Sequence, residues 1–191
     1  AYSMAIKIYI DQGHNPQNPN AGAEGNGLRE QDITYRVGKA LGDLLRANGN
    51  FEVLESRPTP TTSLGTSNPT SLQARVQQAN SWGADYFISL HTNASSIANA
   101  SGTEAYVYAI DTPAYRLAQD IVTSLTEATG LRDRGVFARP GLYVLRRTTM
   151  PAVLLEMGFI TNPGDAILMY ENPRLFARGI YNGILRYLNL G

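Results

Sequence analysis

The sequence predicts an α/β domain built on a largely parallel sheet, and three observations carry that reading. Short β-rich runs alternate with longer stretches of helical spacing along the whole chain, the pattern of successive βαβ units. Several of the runs are continuously apolar, as expected of strands buried on both faces. At 191 residues the chain fits one domain, large enough to bury most of the apolar surface its unfolded form exposes.

Taken in order, the first strand spans Ala5 to Ile10. Ile33, Val37, Leu41, Leu44 and Leu45 then repeat at helical spacing on one face, and Asn48-Gly49 supplies the stop. A second strand covers Phe51 to Ser56. The low-apolar stretch Pro58 to Ser71 reads as a surface loop and not a domain linker, because the alternation continues on both sides of it. A helix over Ser71 to Ser81 leads to strands Tyr86 to Leu90 and Thr103 to Tyr108, then to a helix from Pro113 to Thr129 that Gly130 ends. Strands at Leu142 to Leu145 and Ala152 to Leu155 follow. A short helix after Asn162-Pro163 and a final one from Pro173 to Leu188 complete the chain.

Composition narrows the function. Sixteen basic residues balance sixteen acidic ones, so nothing recruits nucleic acid or an anionic membrane surface, both of which select a basic excess. Apolar residues make up 43% of the chain, yet no run approaches the roughly 18 residues that a membrane helix requires. The absence of cysteine removes disulfides, thiolate nucleophiles and Cys-based metal sites. Residues 1–3 read as a non-native leader before a native start at Met4, in which case translation begins almost directly in the first strand and no secretory segment precedes it.

In an open parallel sheet, ligands bind at the carboxyl ends of the strands. Four chemically capable residues fall on that edge: His14 after strand one, Glu30 opening the next helix, His91 in FISLHTNA, and Glu156 ending the last strand in PAVLLEMGF. Strands Phe51 to Ser56 and Thr103 to Tyr108 contribute nothing comparable. The chain's only two histidines thus occupy the same kind of position. Taken singly, each is an ordinary loop or strand-edge histidine, and Glu30 an ordinary first-turn acid favouring the helix dipole. Together they match the catalytic zinc arrangement of two His and one Glu with an open position for water. Either Glu24, in the loop GAEGNG, or Glu30 could supply the carboxylate, and the rigid helix start favours Glu30.

Glu156 follows a continuously apolar run, so its carboxyl is desolvated and its pKa raised toward neutrality, as proton transfer requires. Asn93 and Arg146 are candidate substrate donors. Gly22, Gly25 and Gly27 follow the strand too late and in the wrong order for a dinucleotide fingerprint. Two rivals remain at this point: a glycosidase using Glu30 and Glu156 as paired carboxylates, and a non-catalytic binding module that keeps the fold.

Five segments in order, DQGHN, NGLRE, SLHTNA, SGTEAYVY and LRRTTMPAVLLEMGFITN, give the chain a resemblance to the zinc-dependent N-acetylmuramoyl-L-alanine amidases of the family-3 type, which includes bacterial autolysins and phage endolysins. The resemblance covers nearly the whole chain. It implies a single catalytic domain over residues 1–191, with a twisted, mostly parallel sheet of about six strands flanked by helices on both faces. It also implies one catalytic Zn2+ held by His14, Glu30 and His91, with Glu156 as acid and base. The implied substrate is peptidoglycan, cut at the amide between N-acetylmuramic acid and L-alanine. Action is then expected outside the cytoplasmic membrane, after secretion or release by phage or mother-cell lysis, with room for a separate wall-binding module beyond this chain. The first motif departs from the family's usual Asp-Pro-Gly-His-Gly-Gly, and Asn15-Pro16 is therefore expected to carry this chain's own substrate preference.

Overall fold

A computed structural model describes residues 4–191, so the reading of residues 1–3 as a leader lies outside the described residues. Six strands form the main sheet: β1 (Ile6–Gln12), β4 (Phe51–Glu55), β5 (Tyr86–Asn93), β6 (Thr103–Val107), β7 (Asp133–Ala138) and β8 (Ala152–Phe159). Their spatial order is β4-β1-β5-β8-β6-β7. A small antiparallel hairpin, β2 (Glu24–Gly25) and β3 (Leu28–Arg29), stands apart. Its turn places Asn26 and Gly27 at φ 53° and 75°, the left-handed pair that a tight Asn-Gly turn demands.

The alternating side-chain directions of the strands divide the core in two. Ile8, Ile10, Ile88, Val107, Val153 and Leu155 point to the face covered by α1 (Glu30–Ala47), α3 (Pro113–Thr129) and α6 (Pro173–Leu188). Tyr9, Phe87, Tyr106, Ala152 and Leu154 point to the other, where α2 (Asn68–Trp82) and α4 (Tyr143–Arg146) contribute Val76, Ala79, Val144 and Leu145. The first layer is broad. The second is narrow: on that face the outer β6–β7 ribbon is left open, with Phe137 46% exposed and Arg139 exposed beyond it. A last helix, α5 (Pro163–Glu171), follows β8 with its start capped by the Asn162 side chain.

Two expectations are corrected. Leu142 to Leu145 is not a strand: Tyr143–Arg146 makes one helical turn, and Val144 and Leu145 bury themselves in the smaller core. The sixth strand is instead β7, which the sequence reading passed over. The sheet is mostly parallel, as expected, and its one antiparallel pairing is β6 with β8. The start of β6 therefore lies beside the carboxyl-terminal part of β8.

Candidate metal and acid-base centre

His14, Glu30 and His91 converge from three separate elements, each offering a ligand atom within 4.8 Å of the others. Glu30 opens α1 with its backbone N–H bonded to the carbonyl of Ala23, and it is almost fully buried. Its carboxylate accepts from the backbone amides of Ala23 (3.0 Å) and Thr92 (2.8 Å), which fixes both oxygens. The rival ligand Glu24 is exposed in β2. Rigid helix start and exposed hairpin thus separate the two candidates that spacing left open.

The histidines address Glu30 through different ring nitrogens. His14 Nε2 lies 3.2 Å from Glu30 Oε1, while its Nδ1 faces Asn20 Oδ1 at 3.0 Å. His91 Nδ1 lies 3.4 Å from Glu30 Oε2, while its Nε2 meets Ser89 Oγ at 2.9 Å. Ser89 donates onward to Asp11 Oδ2 (2.7 Å), and Asp11 is paired with the buried Arg75 at 2.6 Å. Each ring is thereby oriented from behind, so that one nitrogen is free to face a cation. Gly13 is required by this packing, since a Cβ there would come within 2.7 Å of His91 Cε1. His14 itself takes φ 72°, a left-handed conformation that costs a non-glycine residue energy and is held by its surroundings.

In the metal-free centre, burial pushes Glu30 toward neutrality, but hydrogen bonds and charge from both histidines outweigh it and hold the carboxyl below its ordinary value. Burial likewise pulls His91 down, and the bond to Glu30 with the charges of Glu30, Glu156 and Asp11 raises it above the usual imidazole value. A divalent cation is what such a carboxylate between two imidazoles is built to share. Two neutral imidazole nitrogens and one carboxylate oxygen form the donor set of a catalytic zinc site, and the residues fit that ion.

Glu156 is the register partner of His91 across the β5–β8 pair. It sits inside β8, followed by Met157, Gly158 and Phe159, and not at the strand's end as the sequence suggested. Its Oε2 is buried without a hydrogen-bond partner among the described residues. Burial, reinforced by Glu30 and Glu104, pushes the carboxyl up to about 7 against the opposing charges of His91 and Arg139. This is the pKa that a proton shuttle at neutral pH needs.

Glu104 was missed, and the expectation that Thr103 to Tyr108 adds nothing to this edge is overturned. It is the register partner of Glu156 across β6–β8 and accepts from Asn93 Nδ2 (3.0 Å), Arg134 Nε (3.0 Å) and Tyr106 Oη (2.8 Å). Arg134 reaches it from a bulge, where Thr103 pairs with Asp133 but Glu104 with Gly135. Asn93 is therefore brought to the centre, bonded to Glu104. Arg146 is not: it is exposed on α4, beside a cleft of about 410 Å3 lined by Tyr108, Pro151 and Ala152 at the opposite end of β8.

Asn15 also takes a different role. Its side chain is fully buried, donating to the carbonyls of Pro19 and Leu64 and accepting from Leu64 N–H and Arg75. It clamps the loop after His14 to the loop before α2 and touches no open surface.

Comparison with known proteins finds relatives along nearly the whole chain. Residues 8–186 match the sequence profile of the N-acetylmuramoyl-L-alanine amidase family. The amidase CwlM of Bacillus licheniformis is 37% identical over 97% of this chain and 70% of its own length. The endolysin of Bacillus phage SPP1 is 32% identical over 98% of this chain and 68% of its own length. The crystal structure of an N-acetylmuramoyl-L-alanine amidase from Clostridium difficile 630 superimposes with a TM-score of 0.86 at 30% identity, covering 98% of each chain. From fold, sequence match and shared length together, this chain belongs to the N-acetylmuramoyl-L-alanine amidase family of peptidoglycan hydrolases.

Proposed function

We propose that this chain is a single catalytic domain that cleaves the amide joining N-acetylmuramic acid to L-alanine, with one zinc ion held by His14 Nε2, a Glu30 oxygen and His91 Nδ1. The observation that carries the reading is the pairing of this donor set with an unpartnered, neutral-range carboxyl on the adjacent strand. Zinc bound there supplies Lewis acidity, polarising a carbonyl and acidifying water.

The protein's own groups do the rest. Glu156 removes the proton from the attacking water and delivers a proton to the departing nitrogen of L-alanine. Asn20 and Ser89 keep the two imidazoles in the required tautomers. Asn93, held by Glu104, is positioned to donate to the substrate from the β5 side. Arg146 stands outside the catalytic set, within reach only of a substrate that extends past α4.

Among the described residues no helix is long and apolar enough to cross a membrane. The cell-wall substrate places the site of action outside the cytoplasmic membrane. The chain spans 70% of CwlM, which leaves length for a separate wall-binding module in a larger relative of this kind.

Digestion of purified peptidoglycan, with and without a chelator and read by mass spectrometry, tests the proposal. New N-terminal L-alanine, lost on chelation and restored by zinc, is the expected result. New reducing ends that survive chelation would instead establish the paired-carboxylate glycosidase.

A further inference from the structure

We infer that Arg139 anchors the free α-carboxylate on the residue after L-alanine in the peptide branch of the substrate, an assignment that rests on the peptidoglycan-amidase reading above. Arg139 follows β7, and its backbone is fixed at both ends, its N–H donating to Val107 O (2.8 Å) and its carbonyl accepting from Leu142 N (3.2 Å). The guanidinium lies over the Tyr106 ring, 4.2 Å from the centroid, and the hydroxyl of that same ring is bonded to Glu104. Strand alternation puts Glu156, Glu104, Tyr106, Phe137 and Arg139 on one face of the sheet, the face that α2 and α4 leave uncovered beyond β8.

The nearby arginines are spent. Arg134 is neutralised by Glu104 and Arg75 by Asp11. Arg139, among the described residues, makes no ion pair and no side-chain hydrogen bond, so its planar donors are presented from a stacked, pre-oriented group. The occupant is chosen by charge. N-acetylated sugars are neutral and give an unpaired cation nothing, whereas the peptide branch carries carboxylates that a guanidinium binds in bidentate fashion. The peptide therefore runs from the scissile bond over β6 and β7.

Two soluble muropeptides identical except at the residue after L-alanine, D-glutamate with a free α-carboxylate or its carboxamide, provide the test. For the carboxylate form, Arg139→Gln is expected to raise KM about tenfold and leave kcat nearly unchanged, with Arg139→Lys recovering part of the loss. The carboxamide form should shift by less than about twofold in either variant. Equal losses on both forms, or none on the carboxylate form, would overturn the anchor. Should the wild-type protein cleave neither, it is the amidase reading that fails, and the anchor is then read by calorimetric binding of the carboxylate muropeptide to wild type and Arg139→Gln.

Discussion

Glu104 and Glu156 face each other as register partners across β6 and β8, and only one of them is satisfied. Glu104 accepts from an amide, a guanidinium and a phenol, while Glu156 keeps one oxygen buried and unpaired. Two carboxylates on neighbouring strands are thereby given opposite tasks by their surroundings. One is held in place by three donors. The other, pushed up by burial and by the nearby carboxylates of Glu30 and Glu104, is ready to take and release a proton.

Glu156→Gln is expected to keep one bound zinc per chain and to lose turnover by about 10²- to 10⁴-fold, the usual contribution of a positioned acid-base group. Metal analysis and product release on the same sample check both halves. Near-normal turnover would remove Glu156 from the reaction.

His14→Ala should lose metal and activity together, and full zinc retention would refute the ligand assignment. Asn20→Ala is the subtler variant. Because the Asn20 side chain orients the ring from behind and otherwise donates only to Ser71 Oγ, Asn20→Ala should retain the fold and weaken zinc affinity by about 10- to 100-fold, measured by competition with a chromophoric chelator.

Arg75→Ala leaves Asp11 buried and unpaired, so unfolding free energy should fall by about 3–5 kcal/mol in denaturant titrations. The effect reaches beyond stability, since the same guanidinium holds the His14 carbonyl and the Asn15 side chain.

Acid should act through the same pair. Burial raises Asp11, but Arg75, His91 and Ser89 outweigh it and hold the carboxyl below its ordinary value. A carboxyl depressed on folding contributes stability that is complete above its unfolded pKa and is lost as pH falls through the folded one. Unfolding midpoints of the metal-free protein should accordingly drop below about pH 4, and Asp11→Asn should flatten that limb while lowering stability at pH 7.

The alternation of βαβ units, the helix bounds at Pro113–Thr129 and Pro173–Leu188, and the convergence of His14, Glu30 and His91 were all legible in local pattern. What was not legible depended on strand direction and tertiary packing. Glu104 stands in the segment SGTEAYVY, yet on a parallel β6 its position at the strand start would lie at the wrong edge. Antiparallel pairing, which no periodicity encodes, brings it beside Glu156. Leu142 to Leu145 is apolar enough for a strand, but one helical turn buries Val144 and Leu145 equally well. The real sixth strand, Asp133–Ala138, carries two charges and a central glycine and lacks the apolar signal because it forms an exposed edge.

The Asn15 clamp was hidden for a similar reason. A polar residue after His14 looks like a contact for the substrate until the loop ending at Leu64 closes over it.

The open β6–β7 ribbon bears on the kind of substrate that the proposed centre can meet. Phe137 and Arg139 stand exposed on the outer ribbon, next to the Glu104–Glu156 pair, so this side of the sheet presents open surface. A cross-linked polymer has few free ends to thread into a tunnel. An open face is one that such a network can meet from the side, with no free end needed.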